Sequence, residues 1–268
     1  MTLDAAVASR VASADRLRNG IGAMAWAEMR KLRHDNIDIL TRSVQPLLWL
    51  FIFGTALRRN RALAGGYHDY RAYLAPGIMA QAALFIAIFF GLAVIWERDV
   101  GQLQRLLATP LPRLAIVLGK ATGAGIRALA QATVLLVVLA ITGISIKWSV
   151  TGVIGALVLL VLATGAFACL SMILASLVRT RERFMGIGQM IMMPLFFASS
   201  ALYPLSIMPR WLRILAHGNP LTYEVHGMRQ LLLGIHTGGT LWVDFLFIVV
   251  FFAVVATVAA RTYPRAIL

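Results

Sequence analysis

Long apolar runs, separated by short clusters of charged residues, set the pattern along this chain. An α-helix rises about 1.5 Å per residue, so about 20 residues cross a hydrocarbon layer roughly 30 Å thick. The runs show no period-two alternation, which favours membrane helices over a barrel of strands. We therefore predict an all-α membrane protein with six transmembrane helices, at about 41–58, 72–96, 116–146, 150–178, 184–203 and 241–262.

Composition and charge support a membrane protein and give it an orientation. Hydrophobic residues make up 60% of the chain and charged residues 13%, which is too little charge to cover a soluble domain. The net charge of +14 would suggest nucleic acid binding in a soluble protein, but here the positive-inside rule explains it better. With both termini in the cytoplasm, about twice as many basic residues lie inside as outside. Arg58, Arg59 and Arg61, on the outer side, depart from that rule.

The chain divides into a short tail and one membrane domain. Residues 1–20 are predicted to be a flexible cytoplasmic tail, and residues 21–265 a single transmembrane domain. Within 21–40, apolar residues recur near helical spacing, which favours an amphipathic helix in the cytoplasmic interface of the membrane. An ordinary juxtamembrane helix with a solvated charged face is the alternative. The candidate interfacial residues are Trp26, Glu28, Arg30 and Arg33.

A charged segment, 97–113, interrupts the apolar pattern between the second and third predicted spans. Pro110 and Pro112 end its predicted helix and set the direction of the next segment. The spacing of its apolar and charged residues suits a helix that contacts another subunit, and it suits equally a plain amphipathic connector between two spans. The apolar stripe of this helix would consist of Val100, Leu103, Leu106 and Leu107.

Proline and glycine break the moderately apolar region 204–230, which precedes the last predicted span. Segments broken in this way are poor candidates for a full membrane crossing. We predict an external re-entrant helical hairpin that enters the outer leaflet and leaves on the same side.

No catalytic or ion-coupling motif occurs along the chain. Gly119-Lys120 is followed by Ala121, so the chain has no P-loop for nucleotide phosphates. Cys169 is the single cysteine, which excludes an intramolecular disulfide. The predicted spans lack buried carboxylates, and Arg127 is expected to extend its side chain to the cytoplasmic interface. Energy for uphill transport must therefore come from another subunit, for which 97–113 is a plausible contact. A self-contained ion-coupled carrier or channel, or a membrane enzyme, are the alternatives.

Two motifs, in this order and topology, carry a resemblance to a known family. The first contains Glu97, Arg98, Asp99, Gly101, Leu103, Arg105, Leu106, Pro110 and Arg113, and the second contains Tyr203, Pro204, Pro209, Asn219, Pro220 and Tyr223 and ends near Arg229. Together they resemble the permease subunits of type 2 ABC exporters, the group with daunorubicin-resistance, nodulation and polysaccharide-export permeases. The family often has a second glutamate in the first motif, where this chain has Asp99, whose side chain is shorter.

The resemblance implies partners and a mechanism. It implies that 97–113 is the coupling helix that contacts two separate cytoplasmic ABC ATPase subunits, and that a second permease copy completes a homodimer or a heterodimer. ATP and magnesium would be bound by the ATPase subunits, so this chain would bind no cofactor and would not be an enzyme itself. The expected location is a prokaryotic cytoplasmic membrane, in contact with lipids and without nucleic acid.

The resemblance also implies an amphipathic or lipid-linked cargo, such as a drug, a glycolipid or a polysaccharide. Gln81 and Gln189 are favoured as pathway residues because an amide that faces lipid is left without hydrogen bonds. For the aromatic candidates, packing or lipid contact is the alternative. The full set from spans two and five is Gln81, Phe85, Phe89, Gln189, Met193 and Phe197.

Overall fold

A computed structural model describes residue 15 and residues 17–30, 36–59, 63–65, 67–109, 111–178, 180–234 and 239–263. The described part of the chain is all-helical and contains no strand. Residues 17–30 form helix α1. The other helices are α2 (Asn36–Ala56), α3 (Tyr70–Asp99), α4 (Gln102–Leu107), α5 (Arg113–Ile141), α6 (Val150–Leu177), α7 (Arg181–Phe197), α8 (Arg210–His217), α9 (Pro220–Leu233) and α10 (Leu241–Thr262), with a short 3₁₀ turn at Leu205–Ile207.

Five of these helices are long and apolar enough to cross a membrane: α2, α3, α5, α6 and α10. The segment expected to form another span, 184–203, is helical from Arg181 to Phe197, which is 17 residues. At 1.5 Å per residue that helix extends about 26 Å, slightly less than the thickness of the hydrocarbon layer. The structure therefore supports a multi-pass membrane protein with at least five candidate crossings.

Several helix boundaries differ from the sequence expectation. Helix α1 already includes residues 17–20, which were assigned to the tail, and α2 begins at Asn36 rather than near 41. Helix α5 ends at Ile141, and the chain from 144 to 149 forms no regular secondary structure. Residues 1–14 and 16 of the predicted tail, and 31–35 of the predicted interfacial helix, lie outside the described residues.

Helix α3 lies at the centre of the bundle and is buried along most of its length. A helix that is buried on every side needs apolar residues all round, and small residues allow its neighbours to approach. At Gly91 an added β-carbon would overlap Ser171 of α6. Ser171 Oγ also donates a hydrogen bond to the carbonyl oxygen of Ile88, at 2.8 Å, which satisfies the hydroxyl inside this contact.

The bundle has two ends, which differ in their packing. We call the α4 end the side where α3, α6 and α10 finish and where α5 and α7 begin. The α8 end is the opposite side, which carries α8. A compact apolar cluster that includes Leu103, Phe184 and Tyr263 fills the α4 end. A larger cluster that includes Tyr73 and Leu159 fills the middle and the α8 end.

Candidate functional site

The segment 97–113 is not one helix, because a turn divides it. Helix α3 continues to Asp99, so the charged triplet belongs to its last turn. Gly101 then adopts φ +73°, a left-handed conformation that glycine takes without steric cost, and begins α4. Helix α4 ends at Leu107, and α5 begins at Arg113, which is exposed. Pro110 lies outside the described residues.

The charged triplet connects the end of α3 to three other helices. Glu97 accepts a hydrogen bond from Lys120 Nζ of α5, at 2.6 Å from Oε1. Arg98 Nη1 donates to the carbonyl oxygen of Val178, which caps α6, at 3.4 Å. Asp99 forms an ion pair with Arg181 at the start of α7, at 2.7 Å. The triplet, which we call the brace, therefore joins the end of α3 to three neighbours: Glu97 contacts α5, Arg98 contacts α6 and Asp99 contacts α7.

Helix α4 is anchored on one side and exposed on the other. Leu103 is completely buried in the cluster at the α4 end, and Leu106 is partly buried against it. Val100 is 59% exposed, so the expected apolar stripe does not extend to it. The cause is the turn at Gly101, which separates Val100 from the face that carries Leu103. The exposed residues of α4 are Gln102, Gln104 and Arg105.

Helix α1 packs along the first half of α5 through a row of small residues. A β-carbon at Gly119 would lie 2.7 Å from the β-carbon of Met24, and one at Gly123 would lie 2.6 Å from Cγ of Glu28. One turn further, Arg127 Nη2 pairs with Glu28 at 2.9 Å. The contacts advance by four residues in both helices, so α1 and α5 run side by side in the same direction.

This packing gives Arg127 a partner, because its guanidinium pairs with Glu28 of α1. That the Arg127 side chain reaches the cytoplasmic interface, and that α1 lies in this interface, stay predictions. Trp26 is 56% exposed and Arg30 is exposed, whereas Arg33 lies outside the described residues. Lys120 and Arg127 were not predicted as the partners of Glu97 and Glu28, since a pair between two helices leaves no pattern of spacing along the sequence.

At the α8 end, Asn219 joins two helices. Its side-chain amide donates to the carbonyl oxygens of Leu195 and Ala198, at 2.6 and 3.0 Å, while its Oδ1 accepts from the backbone N–H of Leu221. One side chain thus satisfies the last carbonyls of α7 and caps the start of α9. Pro220 follows as the first residue of α9, where proline is favoured because its missing N–H is not needed.

The remaining residues of the second motif hold the α7–α9 connection. Tyr203 and Tyr223 donate their hydroxyls to the carbonyl oxygens of Phe197 and His217, at 2.7 and 2.8 Å. Partial burial raises the pKa of Tyr203. Pro204 and Pro209 precede the 3₁₀ turn and α8, in extended conformations that break the chain between them.

Arg229, with which the second motif ends, is 3% exposed in α9. It donates to the carbonyl oxygens of Tyr73 and Ala201, at 3.1 and 2.9 Å, and its guanidinium lies 3.7 Å from the centre of the Tyr73 ring. Within the described part of the chain, no carboxylate lies within salt-bridge distance of it. On the same helix, complete burial raises the pKa of Glu224 well above its ordinary value.

The candidate pathway residues separate into two groups. Gln81, Phe85 and Phe89 of α3 line a cavity together with α2 and α5. Gln189, Met193 and Phe197 are exposed on α7 and do not line that cavity. Within one chain, therefore, the structure does not bring the six residues to a common site.

Comparison with known proteins defines the class. Residues 19–233 match the family described as ABC-2 type transporter, and the chain belongs to this family. It is 29% identical over 203 residues to a protein named as a transport permease, ycf38, of Cyanophora paradoxa, over 75% of this chain and 70% of that protein. It is 23% identical over 210 residues to the daunorubicin resistance ABC transporter permease protein DrrB1 of Streptomyces coeruleorubidus, over 78% and 73% of the two chains. It is also 29% identical over 199 residues to nodulation protein J of Rhizobium leguminosarum bv. trifolii, over 74% of both chains.

Family membership establishes a membrane transport permease. Permease subunits of this family carry no ATPase site of their own, so the chain is a transport subunit and not an enzyme. Membership also implies partnership with an ABC ATPase.

Proposed function

We propose that this chain is the membrane-spanning subunit of an ATP-driven exporter in a prokaryotic cytoplasmic membrane. It moves an amphipathic or lipid-linked substrate, such as a drug, a glycolipid or a polysaccharide, out of the cytoplasm. Two ATPase subunits bind ATP and magnesium, and a second permease copy completes the pathway. Helix α7 is the sixth crossing, both termini are cytoplasmic, and the α4 end faces the cytoplasm.

The arrangement of α4 is the observation that carries this proposal. Leu103 holds α4 in the core, while Gln104 and Arg105 extend from the end of the bundle. A force on this exposed face reaches α3 through Gly101, and it reaches α5, α6 and α7 through the brace of Glu97, Arg98 and Asp99. Such a joint suits a coupling helix, because it distributes one movement over four helices.

Glu97 and Arg105 therefore have different roles in the proposed mechanism. The carboxylate of Glu97 is 23% exposed and bonded to Lys120, so it transmits movement inside the subunit. Arg105 is exposed and is a candidate for direct contact with the ATPase. In the same proposal α1 is the interfacial helix, and it packs against the first turns of α5. Helices α8 and α9 form the external re-entrant hairpin.

Co-purification with an ABC ATPase tests the proposal. We expect a complex of two permease and two ATPase subunits, measured by native mass in nanodiscs. Arg105→Glu should reduce the amount of bound ATPase about tenfold or more, since reversing an interfacial charge can cost a few kcal/mol. Glu97→Ala should retain ATPase binding better than Arg105→Glu but reduce the stimulation of its hydrolysis by cargo.

Arg210→Glu is the matched control, because Arg210 is an exposed arginine at the α8 end. It changes the charge equally but should leave ATPase binding intact. A stable particle that never retains an ATPase, or equal losses from both arginine variants, would contradict the proposal and favour a self-contained carrier or channel.

A further inference from the structure

A cavity of about 420 Å³ lies at the α8 end, between α3, α9, α10 and the chain that connects α7 to α8. Apolar side chains form much of its wall, among them Leu205 and Val243. Ser206 is exposed and Val243 is 52% exposed, so the cavity opens to the surface of the bundle beside them. A pocket of this size, with apolar walls and a few fixed polar groups, suits a small organic molecule.

Arg229 brings a buried positive charge to the wall of this cavity. Its side chain lines the cavity although the residue is only 3% exposed. Its Nε and Nη2 donate to the carbonyl oxygens of Tyr73 and Ala201, and its Nη1 donates to no carbonyl or carboxylate of the described residues. Neutral carbonyls satisfy hydrogen bonds but do not balance the charge of a guanidinium that is removed from water.

No carboxylate of the described residues balances this charge. Glu224 of α9 and Asp244 of α10 both lie beyond salt-bridge distance of Arg229, and Asp244 is already paired with His226 at 2.7 Å. The stretches that adjoin the lining residues in sequence but lie outside the described residues contain no Asp or Glu: 60–62, 66 and 235–238. A buried guanidinium without a counter-charge favours an anionic ligand.

Two hydroxyl groups add hydrogen-bonding capacity beside this cation. Thr222 lines the cavity, and its buried hydroxyl has no hydrogen-bond partner among the described residues. Ser200 also lines the cavity and donates to the Thr222 carbonyl only at 3.5 Å, which is long for a hydrogen bond. A long helical side chain leans towards the start of its helix, and Arg229 accordingly reaches back to Ala201, next to Ser200. The guanidinium and both hydroxyls therefore belong to the same part of the wall.

We propose that this cavity binds a small organic carboxylate with an apolar body. The carboxylate lies beside Arg229 and accepts hydrogen bonds from Ser200 and Thr222. The apolar body lies along Leu205 and Val243. One guanidinium matches the single charge of a carboxylate, whereas a phosphate monoester carries close to two charges and would leave one of them unbalanced. The inference concerns the α8 end alone and does not rest on the proposed export function.

Binding of octanoate at pH 8 to the full chain, in nanodiscs of phosphatidylcholine, tests the inference. We expect a saturable rise in Tm that octanamide, which has the same chain but no charge, does not reproduce. Thr222→Val should raise the Kd of octanoate about fivefold, because one hydrogen bond contributes about 1 kcal/mol. The same substitution should leave Tm without ligand unchanged or higher, since it removes a buried hydroxyl that has no partner.

Thr151→Val is the matched control, because Thr151 is an exposed threonine in the first turn of α6, outside the cavity. It should bind octanoate like the unmodified chain. Arg229→Met should abolish the response to octanoate, but it also removes bonds that hold the fold. The comparison of Thr222→Val with Thr151→Val therefore decides, because neither substitution removes a contact between helices.

Equal affinity of the Thr222→Val and Thr151→Val variants for octanoate, or equal stabilisation by octanamide, would overturn the inference. Octyl phosphate, with close to two charges at pH 8, should bind more weakly than octanoate, and tighter binding would overturn the assignment to a carboxylate. These measurements need no ATPase. Their failure would therefore leave the co-purification test of the export function unaffected, and failure of that test would leave the carboxylate site standing.

Discussion

The two ends of this bundle each contain one polar contact between helices that differs clearly from the other in its exposure. At the α4 end, side chains of opposite charge join the helices, and the pair of Asp99 with Arg181 is more than a third exposed on both sides. At the α8 end, Arg229 and Asn219 donate to backbone carbonyls and are almost completely buried. Exposed ion pairs contribute little and can be exchanged, whereas buried bonds to a cation are costly to break. We therefore expect the exposed Asp99–Arg181 contact of the α4 end to rearrange more easily than the buried contacts of Arg229 and Asn219 at the α8 end.

The largest effect is expected from Arg229→Met. The substitution leaves the carbonyl oxygens of Tyr73 and Ala201 without their donor and removes the contact with the Tyr73 ring. We expect the free energy of unfolding to fall by about 3 kcal/mol, as for other buried hydrogen bonds to charged groups. Chemical denaturation in detergent measures it, with Arg210→Met as an exposed control. Equal losses from both variants would remove the distinction between the two ends.

A smaller effect is expected where α1 meets α5. Gly123→Leu inserts a side chain where even a β-carbon would lie 2.6 Å from Cγ of Glu28, so α1 must move away and lose the Glu28–Arg127 pair. We expect a loss of about 2 kcal/mol, typical of overpacking. Gly186→Leu is the control, because a β-carbon there meets no atom within 4 Å. Proteolytic release of the N-terminal segment should increase for Gly123→Leu only.

The sequence predicted the apolar helices well because length and hydropathy are local properties. It also identified both motifs, in which prolines and a glycine punctuate the chain. It did not predict that Gly101 would divide 97–113 into separate pieces, because a left-handed glycine depends on the contacts that surround it. The partners of Glu97 and Glu28 were missed for a related reason: Lys120 and Arg127 lie on another helix, and only packing brings them together. Gln81 was predicted because an amide that faces lipid is left without hydrogen bonds, and in the structure it lines a cavity between α2, α3 and α5.

At the α8 end, Asp69 should contribute about 1 kcal/mol, as a typical helix cap does. It accepts from the backbone N–H of Arg71 at 3.0 Å and pairs with the guanidinium of that residue. Partial burial alone would raise the pKa of Asp69, but the hydrogen bonds and charges of Arg71 and Arg58 outweigh it and lower the pKa. A lowered pKa stabilises the fold above the ordinary value near 4, and the contribution is lost as the pH falls below it. Asp69→Ala, which removes both the cap and the charge, should therefore be less stable than the unmodified chain at pH 7, and the difference in free energy of unfolding, measured by chemical denaturation, should shrink towards pH 3.

The smallest effect on stability is expected from Asp99→Asn, which tests the comparison most directly. The pair of Asp99 with Arg181 is partly exposed, and its net contribution should not exceed about 0.5 kcal/mol. Arg181 keeps a second contact, because its guanidinium lies 3.7 Å from the centre of the Trp96 ring. If the α4 end is a joint, the substitution should barely change the denaturation midpoint and yet reduce cargo-stimulated ATP hydrolysis in the complex. Arg183→Gln, an exposed charge change two residues after Arg181, should change neither quantity. A loss of stability comparable with that of Arg229→Met would show that the ion pairs hold the α4 end as rigidly as the buried bonds hold the α8 end, and the contrast between a fixed end and a movable one would be wrong.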